Sequence, residues 1–267
     1  MNNVCVLIPH FNNPKGLLKS VTSIGKDENI DIIVVDDGSY VIFDESQVQN
    51  SYSGNGNVKF IYLPTNEGIE NALNKGVDYA ILNKYKYVAR LDCDDLCHTQ
   101  RFKIQLEFME KNMTYGLIGS WCEAIDINGG FLFEMKFPIT NEKIRKRMHL
   151  ACMFIHPTLF IRAEALNKVG GYSNIYKAAE DYDLCFRIMN EYKVANIPIK
   201  LLKFEYTDSK GISSQKRQIQ MNSKLKILKK HFYFGWYPVL GIIKSIIMYY
   251  MPRSVISFVK IKFGQGV

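Results

Sequence analysis

The 267-residue chain lacks several diagnostic signatures. No two of its six cysteines form a C-x-x-C pair, and Cys93 and Cys97 have no second Cys/His pair at zinc-site spacing, so no zinc site is read. The thiols are scattered through apolar segments and read as free and reduced. No G-x-G-x-x-G or Walker-type glycine loop is present, which disfavours dinucleotide enzymes and P-loop NTPases. The start, Met1-Asn2-Asn3-Val4, has neither the basic n-region nor the apolar h-region of a signal peptide. That predicts a chain that stays in the cytoplasm. There is no Pro/Gly/Ser-rich linker and no internal repeat. Acidic residues are few, 26 against 34 Lys plus Arg, giving a net charge of +8, with much of the excess after residue 196. Such asymmetry points to an anionic partner: nucleic acid, a nucleotide or a membrane surface.

With 47% hydrophobic and 22% charged residues, the composition is globular rather than disordered, and the length suffices for one large α/β domain. Val4-Cys5-Val6-Leu7-Ile8 and Ile30 to Val35 are continuous apolar runs, as in parallel strands buried on both faces. Asn13-Pro14 reads as an N-cap with proline at the first helical position. A third strand spans Lys59 to Leu63, and Asn66 is placed to cap the helix that follows. Tyr87 to Leu91 is a fourth strand. Strands alternating with helices predict a mostly parallel sheet. Polar groups recur at four strand ends, Asn12, Asp37, Asn66 and Asp92–Asp95, on the edge where open α/β sheets bind ligands. Beyond Leu117 the pattern becomes a mixed sheet with a hairpin turn at Asp126–Gly130. A strand over Ile155–Ile161 and a helix opened by Glu180-Asp181 follow.

The strand-end cluster Asp92-Cys93-Asp94-Asp95 is the strongest chemical signal. Uncompensated buried carboxylates are costly. Asp92 and Asp94, two apart, point the same way on an extended chain. Hard oxygen donors suit Mg²⁺ or Mn²⁺ shared with a substrate's phosphates. The alternative is a solvated acidic turn capping the next helix.

The tail differs. Gln215 to Lys230 is basic and helical in pattern. His231 to Met251 is aromatic and apolar but is interrupted by Pro238 and Lys244. A lysine in mid-span argues against crossing a bilayer and for lying on its surface. The alternative is a helical pair packed on the domain or on a second copy, as a homodimer.

The segments Pro9-His10-Phe11-Asn12, Val34-Val35-Asp36-Asp37-Gly38-Ser39, Asn66-Glu67-Gly68, Ala89-Arg90-Leu91-Asp92-Cys93-Asp94-Asp95, His156-Pro157-Thr158, Gly170-Gly171-Tyr172 and Ala179-Glu180-Asp181 resemble, in order and spacing, the family 2 glycosyltransferases of the GT-A fold. The resemblance covers about residues 4 to 190. It implies a Rossmann-like, mostly parallel sheet flanked by helices, with a C-terminal helical tail. Residues 1–210 would form one catalytic domain, with a nucleotide-sugar half (1–98), an acceptor half (99–210) and a tail (211–267). The resemblance assigns donor contacts to Pro9, Phe11, Asn12, Asp37, Asn66, Gly68, Arg90 and Asp92. Asp92, Asp94 and Asp95 would hold Mn²⁺ or Mg²⁺, His156 and Glu180 would meet the acceptor, and Asp181 would be the general base. Two departures stand out: Leu73 replaces an arginine that many members carry, and Tyr206–Gly211 contains no histidine that could reach the metal. Lys210 there is a candidate phosphate contact instead.

The expected reaction is inverting sugar transfer from a nucleotide-diphosphate donor, UDP-linked, to a saccharide acceptor. The acceptor is expected to be lipid-linked and to belong to a bacterial surface polysaccharide, with the enzyme peripheral on the inner face of the cell membrane. A competing reading on the same fold is a non-catalytic nucleotide-sugar or polysaccharide binder. Loss of Asp92, Asp94 or Asp181 would signal that, and all three are present. A nucleic-acid binder rests on net charge alone and lacks a recognised module.

Overall fold

The computed structural model describes residues 2–206 and 217–251. A single nine-stranded sheet organises the chain. Strand β1 (Val4–His10) pairs in parallel with β2 (Asp31–Asp36) on one side and β4 (Tyr87–Arg90) on the other, and β2 pairs with β3 (Val58–Tyr62). The order β3-β2-β1-β4 continues through β8 (Phe160–Arg162), β6 (Tyr115–Ile125), β9 (Lys193–Glu205) and β5 (Leu96–Cys97), with β7 (Phe131–Met135) attached to β6. Pairing is parallel in β1–β4 and between β6 and β9. It is antiparallel where β8, β7 and β5 join. Apolar side chains alternate along the buried strands, so they feed two cores, one on each face of the sheet.

Helices α1 (Pro14–Thr22), α2 (Glu45–Ser51), α3 (Ile69–Leu82) and α4 (Arg101–Lys111) serve the first half, and α5 (Asn141–Arg147), α6 (Ala163–Val169) and α7 (Glu180–Glu191) the second. Two more, α8 (Arg217–Lys230) and α9 (Trp236–Tyr250), pack against each other. None of the described helices is long and apolar enough to cross a membrane.

The helix α2 fills the stretch between β2 and β3, with Asp44 capping it by accepting from the Ser46 and Gln47 amides. Two local expectations are corrected. Asn66 does not cap α3; the cap position is Gly68, without a side-chain bond, and Asn66 stands exposed in the loop before it. Residues 156–158 form a 3₁₀ turn rather than strand, because Pro157 cannot donate to a ladder. The segment 207–211 and the residues after 251 lie outside the described residues.

Candidate functional site

The parallel register brings the polar strand ends together. His10 is opposite Asp36, and Leu7 is opposite Arg90, so Asp92 emerges beside the end of β1. His10 Nδ1 lies 2.6 Å from Asp36 Oδ2, while its Nε2 accepts from the Asn13 amide at 3.1 Å. The Asn12 side chain accepts from the Tyr40 and Val41 amides, tying the β1–α1 turn to the loop after β2. Phe11, edge-on to Tyr40, is exposed at the rim, and Pro9 is half-buried, its carbonyl facing the Cys93 thiol.

Asp37 is buried, and both its oxygens are engaged: Oδ1 accepts from the Glu67 amide and Oδ2 from the Gly68 amide. Burial pushes its carboxyl above the ordinary range, against the pull of those two amides. Asp37 thus fastens the loop that leads into α3. Gly38, at φ +68°, passes so close to that loop that a Cβ would sit 2.3 Å from the Thr65 carbonyl carbon, so no larger residue fits.

Asp92 and Asp94 do not share an extended strand. Asp94 has φ +81°, and the Asp95 amide donates back to the Asp92 carbonyl, so the chain turns between them. Arg90, fully buried, donates to the Leu7 carbonyl and to Asp92 Oδ1. Asn13 Nδ2 donates to Asp94 Oδ2 at 2.7 Å, while its own Oδ1 caps α1. Each carboxylate is therefore braced through one oxygen. Asp95 is buried and anchors the end of β9 through the Glu205 amide, and its Oδ2 has no partner. Burial, and then the Asp92 charge, hold its carboxyl well above the ordinary range.

Across the crevice, His156 Nε2 lies 3.1 Å from the Tyr172 hydroxyl and 3.5 Å from Arg90 Nε. Burial, and then the Arg90 charge, lower its pKa against the opposing charges of Asp92 and Asp181. Glu180 and Asp181 open α7. Glu180 is buried with Oε2 unpartnered, and burial, then the Asp181 charge, push its carboxyl up to about 8. Asp181 is half-buried. Backbone strain collects at this crevice: of the four non-glycine residues at positive φ among those described, Asn12, Asp94 and Ala178 lie beside it.

The structure joins Arg90, Asp92 and His156 by direct contacts, holds Asp94 in the same turn through Asn13, and sets Glu180 and Asp181 at the start of α7, while Asn66 and Phe11 are exposed. Sequence reasoning missed three supporting residues, His10, Arg101 and Lys177, and read a fourth, Asn13, only as a helix cap. His10 and Asn13 brace the β1 end. Arg101, fully buried, donates to the Arg90 and Pro157 carbonyls and so joins the two walls. Lys177 reaches Glu70 at 3.4 Å and stands near Gly68. A histidine within the P-H-F-N turn was the one available signal; Arg101 and Lys177 carry none.

A polar crevice at the C-terminal ends of parallel strands is where open α/β sheets bind their ligands, which defines the class of fold and site. The chain belongs to glycosyl transferase family 2: the model of that family matches residues 5–170. It is a glycosyltransferase. It is 29% identical over 240 residues to the uncharacterized glycosyltransferase MJ1057 of Methanocaldococcus jannaschii, covering 86% of this chain and 81% of that protein. It is 28% identical over 230 residues to the Escherichia coli UDP-Gal:alpha-D-GlcNAc-diphosphoundecaprenol beta-1,3-galactosyltransferase, covering 84% and 81%. Among solved structures, S. aureus TarS 1-349 in complex with UDP-GlcNAc superposes with a TM-score of 0.67 at 18% identity, over 92% of this chain and 72% of that one. The mannosyltransferase PcManGT of Pyrobaculum calidifontis, with GDP-Man and Mn²⁺, gives 0.61 at 14% identity, over 94% and 70%.

Proposed function

We propose that the protein is an inverting, metal-assisted glycosyltransferase that uses a UDP-sugar and a lipid-linked saccharide acceptor in bacterial surface-polysaccharide synthesis, working peripherally at the membrane. The observation that carries this reading is the strand-end crevice: Asp92 and Asp94 are braced at the end of β4, Arg90 links Asp92 to His156, and Glu180-Asp181 open α7. The UDP-GlcNAc complex of TarS and the lipid-diphosphate acceptor named for the E. coli relative support the choice of substrates.

The residues fit a divalent cation. Among the described residues, no three His, Cys, Asp or Glu side chains gather into a complete cage. Mg²⁺ and Mn²⁺ sites with phosphate substrates need only one or two carboxylates, the phosphates and water. Asp92 and Asp94 each have one oxygen beyond the one that is braced, and Asp95 Oδ2 is a buried acceptor without a donor. When bound, such an ion neutralises the departing diphosphate. Arg90 orients Asp92, and Asn13 orients Asp94. Asp181 takes the proton of the acceptor hydroxyl as its oxygen attacks the anomeric carbon and the bond from that carbon to the diphosphate breaks. Glu180, whose carboxyl is pushed up by burial, favours its protonated form and so suits a donor to the acceptor better than a second base.

Transfer kinetics paired with direct UDP-sugar binding test the assignment. Asp181→Asn should lower turnover by at least about a hundredfold, from the usual contribution of a positioned base, with donor affinity nearly unchanged. Glu180→Gln should be milder. Near-normal turnover in Asp181→Asn would sink the base assignment, and a larger loss in Glu180→Gln would move it one residue earlier.

A further inference from the structure

Away from the crevice, a cleft of about 500 Å³ opens between α5, the segment joining β7 to α5, and the start of α9. Its apolar walls include Trp121 and Tyr237, and its rim carries Lys136, Lys143, Lys146 and Arg147. The Trp121 indole is fixed by donating to the Phe137 carbonyl at 2.9 Å, and Lys136 Nζ lies 5.5 Å from the ring centre.

The cations on α5 divide by role. Arg145 turns inward and donates to the Met189 and Tyr192 carbonyls. Lys143, Lys146 and Arg147 are exposed, and none makes an ion pair among the described residues. Spaced i, i+3 and i+4, they share a face and repel one another. The fold does not use that repulsion, and an anion in the cleft would relieve it.

Two contacts tie the end of α5 beside the cleft to α7 and to α9. Arg147 precedes Met148, whose carbonyl accepts from the Tyr182 hydroxyl, and Tyr182 follows Asp181. Gly241 of α9 lies against His149, where a Cβ would sit 2.0 Å from the His149 carbonyl oxygen. Helix α9 turns its small residues Gly241 and Ser245 inward and leaves Trp236, Leu240, Ile243, Ile247 and Tyr250 exposed.

We propose that this cleft binds the diphosphate of a lipid-linked acceptor. The lipid chain would lie along the outward face of α9, and the saccharide would reach toward Asp181. Lysine and arginine neutralise phosphate through charge-assisted hydrogen bonds, and an aromatic floor suits the first isoprene unit or sugar ring. The proposal rests on the lipid-linked acceptor reading above.

The test uses geranyl diphosphate, which is soluble without vesicles, and the full chain carrying Trp236→Phe, which leaves Trp121 as its one tryptophan. Trp121 emission should change saturably with geranyl diphosphate. Affinity should fall at least about tenfold in the added variant Lys143→Ala/Lys146→Ala/Arg147→Ala, the scale of losing charge-assisted phosphate contacts. UDP-sugar binding should be the same in both proteins, which shows that the variant is folded. An equal response to inorganic diphosphate makes the cleft an ion site and overturns the proposal, as does an unchanged affinity in the triple variant. Transfer separates the two readings. If the wild-type chain uses a prenyl-diphosphate saccharide and the triple variant shows no rise in KM, the cleft is rejected alone. If the wild-type chain transfers only to lipid-free saccharides, the lipid-linked reading fails.

Discussion

Glu180 shows how a single side chain carries information beyond its position. Burial is the first cause of its raised pKa, and the charges of Asp181, Glu70 and Asp92 add to it. The folded protein therefore holds a proton there that the unfolded chain has released between pH 4.5 and about 8. Its stabilising contribution is complete below 4.5 and is lost as pH rises through the folded value. Glu180→Gln, neutral throughout, should raise the melting temperature above wild type at pH 9 and have much less effect at pH 4.5. Melting curves for the two proteins that stay parallel across this range would contradict it. Asp94 offers the complementary residue test. Its strained backbone and its bond from Asn13 hold a carboxylate whose proposed duty is electrostatic. Asp94→Ala should weaken UDP-sugar binding when Mn²⁺ is present and equalise it with binding in EDTA. Full activity of the wild type in excess EDTA would remove the metal from the mechanism. The chemical identity of both residues was legible in the sequence, but Asp37 was legible only as an acidic residue at a strand end. That its two oxygens clamp the Glu67 and Gly68 amides depends on a loop 30 residues away.

Among the elements, α9 departs furthest from an ordinary helix of a globular domain. Such a helix buries its large apolar face. Here the large residues face outward and the small ones inward. An apolar stripe with flanking aromatics suits a helix lying in a lipid interface. Ile243→Glu/Ile247→Glu should abolish co-sedimentation with anionic vesicles, while stability changes by no more than about 0.5 kcal/mol, as for exposed positions. Unchanged sedimentation would favour packing against a second copy. The apolar composition of this segment was visible in the sequence, but not which face the body covers. The strand β9 was illegible for a different reason. Pro198 stands in its middle, and a central strand does not ordinarily tolerate proline. The structure accommodates it with a bulge: Ile197 pairs with Ser120, and Lys200 with Trp121, the next residue on β6.

For the molecule as a whole, the sequence alone determined the parallel β1–β4 layer, because strands buried on both faces must be continuously apolar and their ends must become polar. It also determined which residue types stand at those ends, and so the chemical vocabulary of the site. Tertiary structure decided how they are used. Arg101 looks like a surface cation in a linear reading, yet it is fully buried and ties the β4 end to the His156 turn through the Arg90 and Pro157 carbonyls. The contact between Arg90 and His156 spans 66 residues and follows from the pairing of β4 with β8. The basic cleft unites α5 with α9, also some ninety residues apart. Periodicity records whether a side chain faces core or solvent, since burial acts residue by residue along a local element. It does not record which distant element supplies the partner, because that depends on strand order and register, set by packing over the whole chain.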